Sequence, residues 1–74
     1  MQRAILNVLS LVHPRLLATT TLWSEVMLDM AGASYTEFKK ALTDLQIKNQ
    51  VVVINGEDRD KAKITDAGLA RLAE

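Results

Sequence analysis

Four polar residues between positions 36 and 43 have types and spacing that suit the binding of a partner. They are Thr36, Lys39, Lys40 and Thr43, and we expect Asp44 to point outward with them. On a helix of about 3.6 residues per turn they lie opposite an apolar stripe of Phe38, Leu42 and Leu45. Lysine reaches phosphate oxygens or guanine acceptors, and threonine offers a hydroxyl and a methyl group to a base edge. The spacing therefore predicts a helix face that suits the major groove of double-stranded DNA. The alternative is an ordinary solvated helix face.

Lys61 and Lys63 form a second basic pair, on a segment that alternates them with Ala62 and Ile64. This alternation predicts a strand with one wet and one buried face. The two lysines have one of two predicted roles, as follows. They contact phosphates that flank the groove, or they protect an exposed strand against pairing at its edge.

The remaining hydroxyl and imidazole groups predict no catalytic or metal site. Ser10 and Ser24 have no general base near them in the sequence, and Ser34 is better explained as a helix cap. His13 is the one histidine and the chain has no cysteine, so a metal would lack the usual set of ligands. We expect a protein that is not an enzyme and needs no metal and no cofactor.

The chain has 74 residues and no cysteine, which predicts one small domain over residues 1–74 without disulfides. Its nine basic and nine acidic residues give a formal net charge of zero, whereas DNA-binding domains are usually basic. Glu57, Asp58 and Asp60 gather negative charge in one predicted turn. No apolar run approaches the ~20 residues that span a bilayer, so we expect no membrane contact and a cytoplasmic location.

Helical periodicity organises the first half of the chain. Apolar residues predict a first helix over residues 2–12, which ends before Pro14. Residues 16–18 are too few for a helix and predict a one-rung strand that pairs with a later hairpin. The threonines at 19–21 predict the N-cap of a second helix, which ends at Gly32 in a left-handed conformation.

Ser34 predicts the start of a third helix, over residues 34–48, and Asn49 predicts its left-handed end. The short link over residues 31–34 forces the second and third helices into a tight angle. Two helices joined in this way are typical of a helix-turn-helix.

A β-branched run, an Asn55-Gly56 pair and a charged turn predict a hairpin after the third helix. The preferred register pairs Val53 with Ala62, and Val51 with Ile64, on the buried face. A slip of one residue would reverse the two faces and is the alternative.

Thr65 or Asp66 then caps a last helix. The predicted fold class is α+β and mainly helical. It is a winged helix-turn-helix with a three-helix core, a two- or three-stranded antiparallel wing and a C-terminal helix.

Three segments carry a family resemblance. Residues 32–45 look like the turn and recognition helix of prokaryotic winged-helix regulators. Residues 45–51 are similar to their exit into the wing, with Asn49 where the family has glycine. Residues 64–70, Ile-Thr-Asp-Ala-Gly-Leu-Ala, resemble the "Leu-Thr-x-x-Gly" segment of MarR-, PadR- and ArsR-like regulators.

The resemblance implies a sequence-specific DNA-binding protein, a small transcriptional regulator of prokaryotic or phage type, with helix 34–48 in the major groove. The predicted DNA-contacting residues are Ser34, Tyr35, Thr36, Lys39, Lys40, Thr43, Lys61 and Lys63. The alternative is a winged-helix protein-interaction module without DNA binding, which the zero net charge and the acidic turn favour.

Apolar residues beyond the needs of one core predict a self-interface of the first and last helices, through Leu6, Leu11 and Leu72. We therefore expect a homodimer, which is also the usual means by which one short recognition helix reads a palindromic site.

Overall fold

The computed structural model describes residues 1–74, and they form four helices and three strands. In chain order these are α1 (Gln2–Val12), β1 (Leu17–Ala18), α2 (Thr19–Asp29), α3 (Tyr35–Ile47), β2 (Val51–Asn55), β3 (Asp60–Ile64) and α4 (Asp66–Leu72). The fold is α+β and mainly helical, which confirms the predicted class at that level.

The three strands form one antiparallel sheet in the order β1-β3-β2. Val51 pairs with Ile64 and Val53 with Ala62, so the preferred register is confirmed. The predicted one-rung strand is also confirmed, because β1 pairs with β3 through Leu17 and Ala18. A slip of one residue would turn the alternating lysines of β3 toward the core, and that penalty fixes the register.

One hydrophobic cluster of 12 buried residues holds the helices against the sheet. Its members are Ile5, Leu6, Leu9, Leu22, Val26, Phe38, Ala41, Leu42, Leu45, Val51, Ala62 and Ile64. No polar or charged side chain is buried. The predicted core stripe of α3 lies entirely within this cluster.

Both ends of α3 follow the prediction. The Ser34 hydroxyl accepts a hydrogen bond from the Glu37 N–H at 3.1 Å, which satisfies one free donor of the first turn. Asn49 has φ +61°, and the Gln50 N–H then donates to the Leu45 carbonyl at 2.9 Å. The Thr65 hydroxyl caps α4 through the Gly68 N–H and donates to the Asn49 carbonyl at 2.7 Å. These contacts join the start of α4 to the start of the hairpin.

The predicted self-interface is wrong at Leu6, and Leu72 is only partly exposed. Leu6 is fully buried, and Leu72 packs against the core, so that of the set only Leu11 is widely exposed. The reason is that α1 contacts α2, α3, α4 and β3, which buries a broader arc of the helix than its central stripe.

Two predictions about α2 also differ from the structure. The helix begins directly where β1 ends, so Ala18 occupies the N-cap position and no threonine hydroxyl caps the helix. It ends at Asp29 rather than at Gly32. Gly32 does have a positive φ of +93°, but it lies in the link between α2 and α3.

Candidate nucleic-acid interface

The outward face of α3 brings together four of the predicted contact residues. Thr36, Lys39, Lys40 and Thr43 are all exposed, while the opposite side of the helix is buried in the core. Ile47 lies on the same stripe as Thr36, Lys40 and Thr43 and is 77% exposed. The set of contact residues inferred from the sequence did not include Ile47, although its spacing of four residues from Thr43 was the signal.

Tyr35 lies at the first turn of α3, next to its Ser34 cap. The Tyr35 ring is half exposed and meets the Trp23 ring edge-on, with centroids 5.6 Å apart. Trp23 in turn contacts the buried Phe38 ring at a centroid distance of 5.0 Å. This aromatic cluster joins α2 to α3 and fixes the beginning of the candidate face.

Asp44 differs from the sequence interpretation, which had its side chain pointing outward with the lysines. It is half-buried, and its carboxylate accepts a hydrogen bond from the Gln2 amide at 3.5 Å. The carboxylate therefore turns toward α1, and its negative charge does not lie at the centre of the outward face.

Lys61 and Lys63 lie on β3, opposite Ile54 and Val52 of β2. β1 pairs with β3 at Ala62 and Lys61, so Lys61 does not protect an open edge, and that interpretation is wrong for it. The pairing with β1 does not extend to Lys63. The structure leaves both lysines on the face of the sheet that turns away from the core, with Lys61 exposed and Lys63 half-buried.

The lysine side chains of α3 and of β3 have no hydrogen-bond partner within the chain and can contact an anion. Of the five lysines only Lys48 donates a hydrogen bond within the chain, to the Gln2 amide oxygen at 3.4 Å. The ammonium groups of Lys39, Lys40, Lys61 and Lys63 donate no hydrogen bond within the chain, so a phosphate contact would break no internal bond.

The hairpin turn carries the opposite charge. Its backbone is closed by the Gly56 N–H, which donates to the Arg59 carbonyl at 3.2 Å. Glu57 and Asp58 are exposed there and line a surface pocket together with Ala18 at the end of β1. We define Gly56–Arg59 as the hairpin tip. Its carboxylates repel a phosphate backbone, so the basic part of the candidate interface is α3 and the body of β3.

Comparisons of the chain with protein-family models, curated proteins and solved structures found no match. Within the chain, no three His, Cys, Asp or Glu side chains are grouped so that they could hold a metal ion. None of the four helices combines the length and the apolar character of a membrane-spanning segment. A functional assignment therefore depends on the geometry of the exposed surfaces.

Proposed function

We propose that this chain is a winged helix-turn-helix domain that binds double-stranded DNA sequence-specifically, as a small cytoplasmic transcriptional regulator of prokaryotic or phage type. The element order supports the fold assignment. Two helices, α2 and α3, follow each other across a short link, and the β2–β3 hairpin comes directly after them with β1 completing its sheet. In a helix-turn-helix the second helix of the pair enters the major groove.

The proposal rests on one observation: one side of α3 is apolar and buried, and the other is polar and exposed. One side is locked into the core through Phe38, Leu42 and Leu45, which holds the helix rigidly. The other side presents two lysines and two threonines with no internal hydrogen-bond partner for the lysines. A rigid helix with such an outward face can contact phosphates and base edges at once.

Charge distribution matters more than net charge for this face. The formal net charge is zero, yet the carboxylates of the hairpin tip and the lysines of α3 are on different elements. Screening limits the reach of an exposed charge to about 10 Å in moderate salt, so the local field decides where a polyanion binds.

A second candidate function is a protein-interaction module on the same scaffold. Specific observations favour it: the acidic hairpin tip and the exposed apolar side chains of Leu28 and Ile47, each more than three-quarters exposed at 78% and 77%. Such side chains occur singly on many proteins, so they weigh less than the lysine face.

The deciding experiment measures binding of the chain to fluorescent random-sequence duplex DNA at low salt, and repeats it with added salt. We expect binding that weakens as salt rises, because phosphate contacts release counterions. Lys40→Ala should weaken binding and flatten the salt slope by about one.

The matched control is Arg3→Ala, which removes one positive charge from α1 and should leave the slope unchanged. If the wild-type chain does not bind DNA at low salt, the interaction module becomes the better assignment. If Lys40→Ala binds like wild type while folded, α3 is not the contact face.

A further inference from the structure

β2 is the outer strand of the sheet, and its outer edge has no partner in the chain. The order β1-β3-β2 leaves β3 paired on both sides and β2 paired on one. This edge is five residues long, Val51–Asn55. A free edge offers backbone N–H and C=O groups to any other strand.

The hydrogen bonds between β2 and β3 identify which backbone groups of β2 are free. The Thr65 N–H donates to the Gln50 carbonyl at 3.0 Å, and the Gly56 N–H donates to the Arg59 carbonyl at 3.2 Å. Residues of an antiparallel strand point their backbone groups alternately toward and away from the partner strand. Val51, Val53 and Asn55 therefore point theirs away from β3, and none of the three takes part in a hydrogen bond outside the ladder.

The side chains of β2 do not protect this edge. Exposed edges in monomeric proteins are usually protected by lysine, proline or a bulge. The five residues of β2 are Val-Val-Val-Ile-Asn, without charge or proline, and the lysines of the hairpin are on the central strand instead. Ile54, which flanks the free edge, is 47% exposed.

We propose that β2 pairs antiparallel with β2 of a second copy of this chain, so that one sheet runs through a two-fold symmetric homodimer. The symmetric register sets Val53 against Val53 of the second copy, and Val51 against Asn55. The outward N–H and C=O groups of all three residues are then hydrogen-bonded. Val52 meets Ile54 on the exposed face, which is a favourable β-branched pair.

Charge complementarity supports a second copy as the occupant. In this register the hairpin tip of each chain extends past the start of the other β2. Glu57 and Asp58 then approach the residues that precede β2, where the exposed Lys48 ends α3. The pairing thus gives the acidic tip a cationic neighbour, and the tip's charge opposes DNA but assists assembly.

Sedimentation equilibrium of the full chain without DNA, over a range of concentrations, tests the pairing. We expect a monomer–dimer equilibrium, with amide exchange at Val53 and Asn55 slowing as the concentration rises. Exchange at Val52 and Ile54, whose amides face β3, should depend less on concentration. A strict monomer up to about 1 mM would overturn the proposal.

Two variants test the edge itself. Val53→Pro removes the N–H at the two-fold axis but no bond to β3, and edge strands tolerate proline at such positions. Ile54→Lys adds the charge that natural edges carry and leaves every backbone group in place. Each should raise the dimer dissociation constant about tenfold or more.

Leu28→Lys is the matched control, because it adds the same charge at an exposed apolar position of α2. It should leave the dimer intact. If Val53→Pro fails to fold, Ile54→Lys still decides the question. A dimer that persists unchanged in Ile54→Lys, or that Leu28→Lys disrupts equally, would place the interface elsewhere and refute the pairing.

Discussion

The outward face of α3 differs in chemistry from a second exposed surface, which consists of β2 and the hairpin tip. α3 shows Lys39 and Lys40 between two threonines. The hairpin shows an uncharged outer strand and an acidic tip. A basic polar face suits a polyanion, whereas an uncharged strand edge suits another strand.

This difference shows that a formal net charge of zero does not describe the charge of each surface. α3 carries Glu37 and Asp44 as well as Lys39 and Lys40, so its own charges sum to zero. The two lysines lie on its outward face, whereas the Asp44 carboxylate turns toward α1, so the side on which a charge lies matters more than the sum. The two proposals place DNA on α3 and a second copy on β2, which are different surfaces. Single substitutions can measure how far these two surfaces are independent.

The two surfaces differ most in how firmly the core holds them in place. Phe38→Ala tests this difference, and of the variants in this comparison it has the largest expected effect on the free energy of unfolding. Phe38 is fully buried beneath the candidate face of α3, while the hairpin tip has no buried residue. Loss of the ring should cost about 3–5 kcal/mol, because it leaves a cavity in a small core. Thermal or denaturant unfolding measures the cost.

Asp58→Ala at the tip is the comparison variant and should stay within about 0.5 kcal/mol of wild type. Equal losses in the two variants would mean that the tip is anchored as firmly as α3. A Phe38→Ala protein as stable as wild type would show that the side of α3 assigned to the core is wrong.

Gly68→Ala tests the base of the hairpin and should have an intermediate effect. Gly68 is buried, and an added Cβ would collide with the Gln50 carbonyl oxygen and come within 2.6 Å of Ile64 Cγ1. The start of β2, the end of β3 and α4 would have to separate, at a cost of about 1–3 kcal/mol.

Urea unfolding gives the cost, and Ala67→Gly on the exposed side of the same helix is the control for helix propensity. The propensity change alone favours alanine at position 68. A stabilised Gly68→Ala variant would therefore show that the base of the hairpin is looser than its close contacts indicate.

Local signals predicted most of α3 and the hairpin. The stripe of Phe38, Leu42 and Leu45 repeats at helical spacing, and Ser34 and Asn49 are residue types whose side chain or backbone suits a helix end. The hairpin register follows from the alternation of lysines with buried residues on β3. Each of these features depends on residues that are close together in the sequence.

Features that depend on distant residues were not predictable in this way. The full burial of Leu6 depends on four elements that pack around α1, and Asp44 turns inward because Gln2 lies beside it. Ala18 caps α2 because β1 is already paired with β3 at that residue. The candidate face itself followed from helix periodicity, but the free edge of β2 required the strand order of the sheet.

Glu57→Lys tests the separation of the two surfaces and has the smallest expected effect. If the hairpin tip lies near the DNA backbone while α3 is in the groove, reversing this charge should strengthen non-specific binding several-fold at low salt. The salt slope should steepen at the same time, because a new phosphate contact releases another counterion. Fluorescence anisotropy with a random-sequence duplex at several salt concentrations measures both quantities.

Glu74→Lys makes the same change in net charge at the last residue of the chain, away from the hairpin tip. A several-fold gain in Glu57→Lys with little change in Glu74→Lys would mean that the tip approaches the phosphates and that its native acidity limits the affinity for DNA. Equal gains in both variants would mean that only net charge acts, since a long-range field does not distinguish the two positions. In that case the hairpin tip does not contact the DNA, and the contact surface is limited to α3 and the body of β3.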